Sequence, residues 1–176
     1  AACATHADRG LCLQRPASLL SLEVFLLSGV LDARTRIMFG VWAPQVGTSG
    51  EGPGTVELRL RGTLPLRGYN WSGFSASPGM RSMVMRPPAP LQSGDCLAWT
   101  VCGVAPFPYD ELRARHCSSG AARGLVAFSE DLPSRTALAA DGAIVLQFRE
   151  GPCRRYSVSA TLYDEQLLSA AAAEVA

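Results

Sequence analysis

Short apolar segments, separated by glycine- and proline-rich turns, recur along the whole chain. The clearest is TVELRLRG, residues 55–62, where Val56, Leu58 and Leu60 alternate with Glu57, Arg59 and Arg61. A period of two sets one face of a strand on a core and the other in water. The second face mixes charge signs and fits a solvated surface. RRYSVSATLY, 154–163, alternates in the same way, with Tyr156, Val158, Ala160 and Leu162 against Arg155, Ser157, Ser159 and Thr161.

Other segments are apolar without alternation. SLLSLEVFLLSGV, 18–30, reads as a buried strand closed by a turn at Gly29, and RTRIMFGVWAP, 34–44, as a second strand ended by Pro44. MRSMVMR, 80–86, is a short strand that Pro87, Pro88 and Pro90 stop, while GLVAF (124–128) and AIVLQFR (143–149) complete the set. The chain is organised around LQSGDCLAWTVCGV, 91–104. There a Ser-Gly-Asp turn launches an apolar strand over 95–104 that carries Cys96 and Cys102. It is read as the central strand.

Helical signals are few. In PYDELRARHCSSG, 108–120, Pro108 and Asp110 suit a helix start, Arg113, Arg115 and His116 its end, and Gly120 its stop. SEDLPSRTALAADG, 129–142, has room for one helical turn. DEQLLSAAAAEVA, 164–176, predicts a C-terminal helix with Asp164 as N-cap. Residues 1–17 look irregular, and 45–54 read as a flexible hairpin loop. Short strands with minor, late helices predict one all-β domain over 1–176, a β-sandwich or barrel with a C-terminal helix. The long helices that parallel α/β wrapping requires are absent.

Composition adds limits rather than chemistry. The 176 residues are 48% hydrophobic and 18% charged, which fits a globular domain and argues against disorder. A net charge of +1 gives no field to concentrate nucleic acid, so none is expected as a partner. All sixteen basic residues are Arg and the one Asn is Asn70, usage that suggests a GC-rich coding sequence. No apolar run reaches the roughly 18 residues of a membrane span, so none is expected. No signal peptide is visible, and localisation stays open.

Six cysteines, Cys3, Cys12, Cys96, Cys102, Cys117 and Cys153, allow three disulfides in an oxidising compartment or six buried thiols in a reducing one. Cys3 and Cys12 would close a short loop if paired. Cys96 and Cys102 share one strand face about 20 Å apart, at about 3.3 Å per residue, and cannot pair with each other. Their spacing, with His116 and Cys117, does not suit zinc, whose structural ligands sit closer on tight turns. The two histidines, His6 and His116, stand beside no elbow motif. Neighbouring His116 and Cys117 point in different directions on a helix, which argues against a nucleophile. No phosphate-binding glycine motif occurs, and no cofactor is implied.

What remains is recognition. Tyr69, Trp71 and Phe74 lie in the turn-rich segment 62–79, either packed beneath the sheets or exposed as rigid contact residues for a protein partner. Asn70-Trp71-Ser72 matches the N-glycosylation acceptor, which counts only in a secreted chain.

One family resemblance exists. SPGMRSMVMRPPAPLQSGDCLAWTVC, 77–102, resembles the part of dUTPase-type β-barrels where an Asp-Pro-Gly-Tyr-Arg-Gly turn and a Gly-Asp turn each feed a strand. The matching residues here are Ser77-Pro78-Gly79-Met80-Arg81-Ser82 and Gly94-Asp95. Ser77 and Met80 occupy the places of the family's catalytic Asp and uracil-stacking Tyr. The resemblance therefore implies the dUTPase-related proteins of herpesviruses, which keep the fold without the activity and act on host proteins. The expectation is a non-enzymatic protein-binding module, possible viral origin included, with a secreted, disulfide-stabilised receptor- or ligand-binding domain as the alternative. A nucleotide-hydrolysing enzyme ranks behind both.

Overall fold

The computed structural model of the chain describes residues 3–27, 36–44, 55–64, 79–103, 107–111, 125–129, 144–150 and 154–164. In order, the strands are β1 (Cys3–Cys12), β2 (Ala17–Leu26), β3 (Arg36–Pro44), β4 (Thr55–Thr63), β5 (Gly79–Leu91) and β6 (Cys96–Cys102). They continue with β7 (Tyr109–Glu111), β8 (Leu125–Ser129), β9 (Val145–Glu150), β10 (Arg154–Tyr156) and β11 (Val158–Tyr163). No helix occurs among the described residues. The described residues are all-β, as the turn-separated apolar segments predict.

Six strands close into an antiparallel barrel in the order β1-β6-β3-β4-β9-β8, with β8 returning to β1. Beside it lie a three-stranded sheet, β11-β2-β5, and a two-stranded ribbon, β10-β7. The ring removes edges that would otherwise expose unpaired backbone groups.

Two cores explain why β6 reads as unbroken apolar sequence. Its even residues face the barrel interior, where Ala98 packs with Ala7, Trp42, Leu58 and Phe148. Its odd residues, Leu97, Trp99 and Val101, face the three-stranded sheet and meet Leu19, Leu22, Val24 and Met83. A strand buried on both faces cannot alternate, and all six residues from Cys96 to Val101 are buried. Each fully buried Leu, Val or Phe contributes roughly 1.5–3 kcal/mol. The central place expected for this strand is its place in the fold.

Strand β4 follows its alternation: Leu58 is buried, Val56 and Leu60 pack against the interior cluster, and Arg59 is exposed. In β11, Val158 and Ala160 pack on the larger core. A register shift between Thr161 and Leu162 then leaves Leu162 exposed.

Three expectations change. Residues 3–12 are not irregular but form β1, between β6 and β8. Its inward side chains, Thr5 and Ala7, are small because Trp42 and Phe148 fill the interior, so no β-branched run announced it. The proposed helical turn at 108–120 is contradicted at Tyr109–Glu111, which pairs antiparallel with Arg154–Tyr156 as β7. Cross-strand pairing overrides the capping signals there, and 112–120 lie outside the described residues. Strand β5 does not stop at Pro87 but runs through Pro87, Pro88 and Pro90 to Leu91. Pro87 and Pro88 are tolerated because they fall in the register shift of the β2–β5 pairing, between Val84 and Ala89, and because β5 is an edge strand, with β2 on one side only among the described residues. The helices expected over 129–142 and 164–176 fall on residues outside the described set beyond Ser129 and Asp164 respectively. Asp164 itself pairs with Arg15 at 3.5 Å.

Candidate functional site

The Ser-Gly-Asp turn holds the start of β6 by several bonds. Gly94 adopts φ +86°, a conformation that favours glycine, and donates its N–H to the Leu13 carbonyl at 2.8 Å. Leu13 N–H donates in turn to the Asp95 carbonyl, also at 2.8 Å, and the Ser93 hydroxyl to the Gln14 carbonyl at 2.9 Å. The turn thus welds the β5–β6 connection to the β1–β2 connection. The Asp95 side chain is 2% exposed. Its Oδ2 accepts from the Arg61 guanidinium, which reaches over from β4, and from Gln92 N–H at 2.7 Å. Arg61 is therefore not simply part of the solvated face expected for β4, since it neutralises a buried carboxylate.

Cystines fix β6 at both ends. Cys3 pairs with Cys102 and Cys12 with Cys96, each directly cross-strand between β1 and β6, with Cα atoms 4.1 and 3.9 Å apart. The short Cys3–Cys12 loop is thereby corrected: the two residues stand at opposite ends of an extended strand and each meets a different partner. Cys96 and Cys102 share a face and do not bond each other, as their spacing required; of the two states left open, disulfide or buried thiol, both are in disulfides. Between the two cystines, the buried Thr5 and Thr100 hydroxyls share a hydrogen bond of 2.9 Å.

On the opposite face of β1 and β6 lies an aromatic group. Trp99 meets Tyr156 edge-on with ring centroids 5.2 Å apart, and Phe107 in the same manner at 6.1 Å. His6 stacks near Trp99, and its Nδ1 shares a 3.2 Å hydrogen bond with the Tyr156 hydroxyl. The Trp99 indole N–H is the one buried side-chain polar group among the described residues without a partner. This group joins the barrel to β10, with Trp99 and Phe107 buried in the larger core and half-buried Tyr156 packed against it.

Sequence reasoning missed these contacts because each joins residues far apart in the chain: 150 positions separate His6 from Tyr156, and 34 separate Arg61 from Asp95. Only the Gly-Asp turn carried a local signal. The expected contact residues Tyr69, Trp71 and Phe74, the acceptor Asn70, the loop 45–54, and Cys117 and Cys153 lie outside the described residues. No three His, Cys, Asp or Glu side chains among the described residues gather as metal ligands. None of the described helices is long and apolar enough to cross a membrane, there being none. No family model matches the chain, and neither a curated protein nor a solved structure does.

Proposed function

We propose that the chain is a non-enzymatic module that binds another protein, with Tyr69, Trp71 and Phe74 as contact residues. One observation supports this best. Apart from the Trp99 indole N–H, the buried polar side chains of the described residues, Thr5, Thr100 and Asp95, are each bonded within the fold. They brace the scaffold rather than face a substrate. Binding residues on loops held by a rigid scaffold are a common arrangement. The resemblance to the dUTPase-related viral proteins belongs with this proposal, since it too implies action on a host protein. The test is Trp71→Ala, studied by thermal unfolding and by affinity capture with mass spectrometry. A specific partner captured by the parent chain and lost by an equally stable variant is expected. A variant that unfolds would make Trp71 a core residue, and turnover of dUTP with magnesium would make the chain an enzyme. Either outcome refutes the proposal.

A second reading, a secreted domain glycosylated at Asn70, is favoured by the two cystines, because disulfides persist in oxidising compartments. Thiol counting on the denatured chain tests it. At most two free thiols are expected, and six would end it.

A further inference from the structure

The backbone of β2 tells which way that of β5 points. Phe25 N–H donates to the Ser157 carbonyl at 3.0 Å, so the polar backbone groups of Phe25 face β11. Consecutive residues of a strand direct these groups to opposite sides, and each antiparallel bonded pair exchanges both bonds. Leu26, Val24 and Leu22 therefore bond β5, through their partners Gly79, Arg81 and Met83. Met80, Ser82 and Val84 must then direct N–H and C=O away from β2. Among the described residues no strand lies on that side. The Met80 carbonyl accepts instead from the Arg81 guanidinium at 2.9 Å, as an outward group would.

The same three residues carry exposed side chains, Met80 at 56% and Val84 at 61%. Edge strands are ordinarily protected by prolines or charge. Pro87, Pro88 and Pro90 protect one half of β5 in this way. The half from Gly79 to Met85 has no proline and only Arg81 as a charge.

We propose that this half-edge binds a second copy of the chain by antiparallel strand addition centred on Ser82. Its register is self-complementary, as a two-fold interface requires. Ser82 faces Ser82 of the second copy, Met80 faces its Val84, and Val84 faces its Met80. Each of these is a bonded pair, giving about six backbone hydrogen bonds. Arg81 falls opposite Met83 of the second copy, so over 80–84 no arginine opposes another. The two three-stranded sheets become one of six strands, β11-β2-β5 continuing into β5-β2-β11 of the second copy. The pairing is made by residues 79–85, so it stands or falls independently of the protein-binding reading.

Sedimentation and light scattering of the full chain test it. At about 100 μM a mass twice the 18.6 kDa of one chain is expected, falling toward one chain on dilution. Ser82→Pro deletes the central outward N–H while leaving the bonds to β2, and should weaken association at least tenfold. Val84→Lys, which puts charge at the edge without altering the backbone, should do the same if Ser82→Pro fails to fold. A monomeric parent chain at that concentration overturns the proposal. So does a dimer that persists in whichever variant is folded. A parent chain that stays monomeric yet binds an extended peptide at β5 would assign the edge to a foreign strand and equally overturn it.

Discussion

The two cystines are nested, and nesting fixes how their contributions combine. In the chain-entropy account a cross-link stabilises by restricting the unfolded chain, more for longer loops. Taken singly, Cys3–Cys102 and Cys12–Cys96 close loops with separations of 99 and 84, each of which would be worth about 4.5 kcal/mol. Once either is formed, however, the second closes only a small circuit. The steps from Cys3 to Cys12 and from Cys96 to Cys102 make that circuit about 15 residues, worth about 3 kcal/mol. Replacing Cys12 and Cys96 by Ala, or Cys3 and Cys102, should therefore cost about 3 kcal/mol. Replacing all four should cost about 7–8 kcal/mol, exceeding the sum of the separate losses by about 1.5 kcal/mol. Local packing losses occur in both arms and cancel in the cycle. Urea unfolding reads the result. With a slope of about 2 kcal/mol/M, each pair removal shifts the midpoint by roughly 1.5 M. Added sulfate keeps the four-alanine chain folded at the start of its titration. Separate losses near 4.5 kcal/mol with no excess would refute the nesting argument. A Cys3–Cys12 peptide in a non-reducing digest would refute the pairing itself.

Three further outcomes follow from the same contacts. Arg61→Ala leaves the buried Asp95 carboxylate with Gln92 N–H alone. It should cost about 3 kcal/mol in chemical unfolding, most of it recovered in Arg61→Ala/Asp95→Asn; a loss below about 1 kcal/mol would show the pair to be solvent-screened. Thr5→Val strands the Thr100 hydroxyl in the barrel and should cost about 1–3 kcal/mol, whereas Thr5→Val/Thr100→Val should come close to the parent. Equal losses in the single and double variants would count against a mutual hydrogen bond. Gly40→Ala places a methyl 2.9 Å from Leu60 Cδ1 and 3.1 Å from Trp42 Nε1. Because half-buried Leu60 can turn away and buried Trp42 cannot, a fall of about 1 kcal/mol is expected in thermal unfolding, the low end for overpacking. A stabilised Gly40→Ala chain would contradict it.

How far the sequence discloses this fold depends on how locally each element is encoded. Strand β4 shows itself because one face meets the barrel interior and the other meets water, so Leu58 and Arg59 differ in kind. Strand β6 shows itself through its length of apolar residues and the Gly94-Asp95 turn before it. Strand β1 does not, since its inward residues must be small to face Trp42 and Phe148, and CATHADRGLC has no apolar period. Strand β7 is hidden for a different reason: three residues become a strand only because Arg154–Tyr156 lies alongside. The prolines of β5 mislead in the opposite sense. They mark an edge, and without knowledge of which strand is outermost an edge is indistinguishable from an end. The polar contacts at Asp95, Thr5 and His6 were illegible because each partner comes from a distant strand.

These same long-range contacts determine what the scaffold can offer a partner. At one end of β6, Cys96 is tied to Cys12 beside a turn bonded to Leu13 and Gln14; at the other, Cys102 is tied to Cys3. Between them Trp99 and Ala98 anchor opposite cores. A strand held at both ends and on both faces has little freedom left to lose on association. Ordering of mobile groups is a main cost of binding, and this strand would add little to it. The edge of β5 has the same advantage, because β2 already holds its backbone extended, through the groups that face inward. An outward N–H at Ser82 is thus presented in strand geometry before any second strand arrives. That is why the loss of this single donor in Ser82→Pro should be felt in association and little in folding.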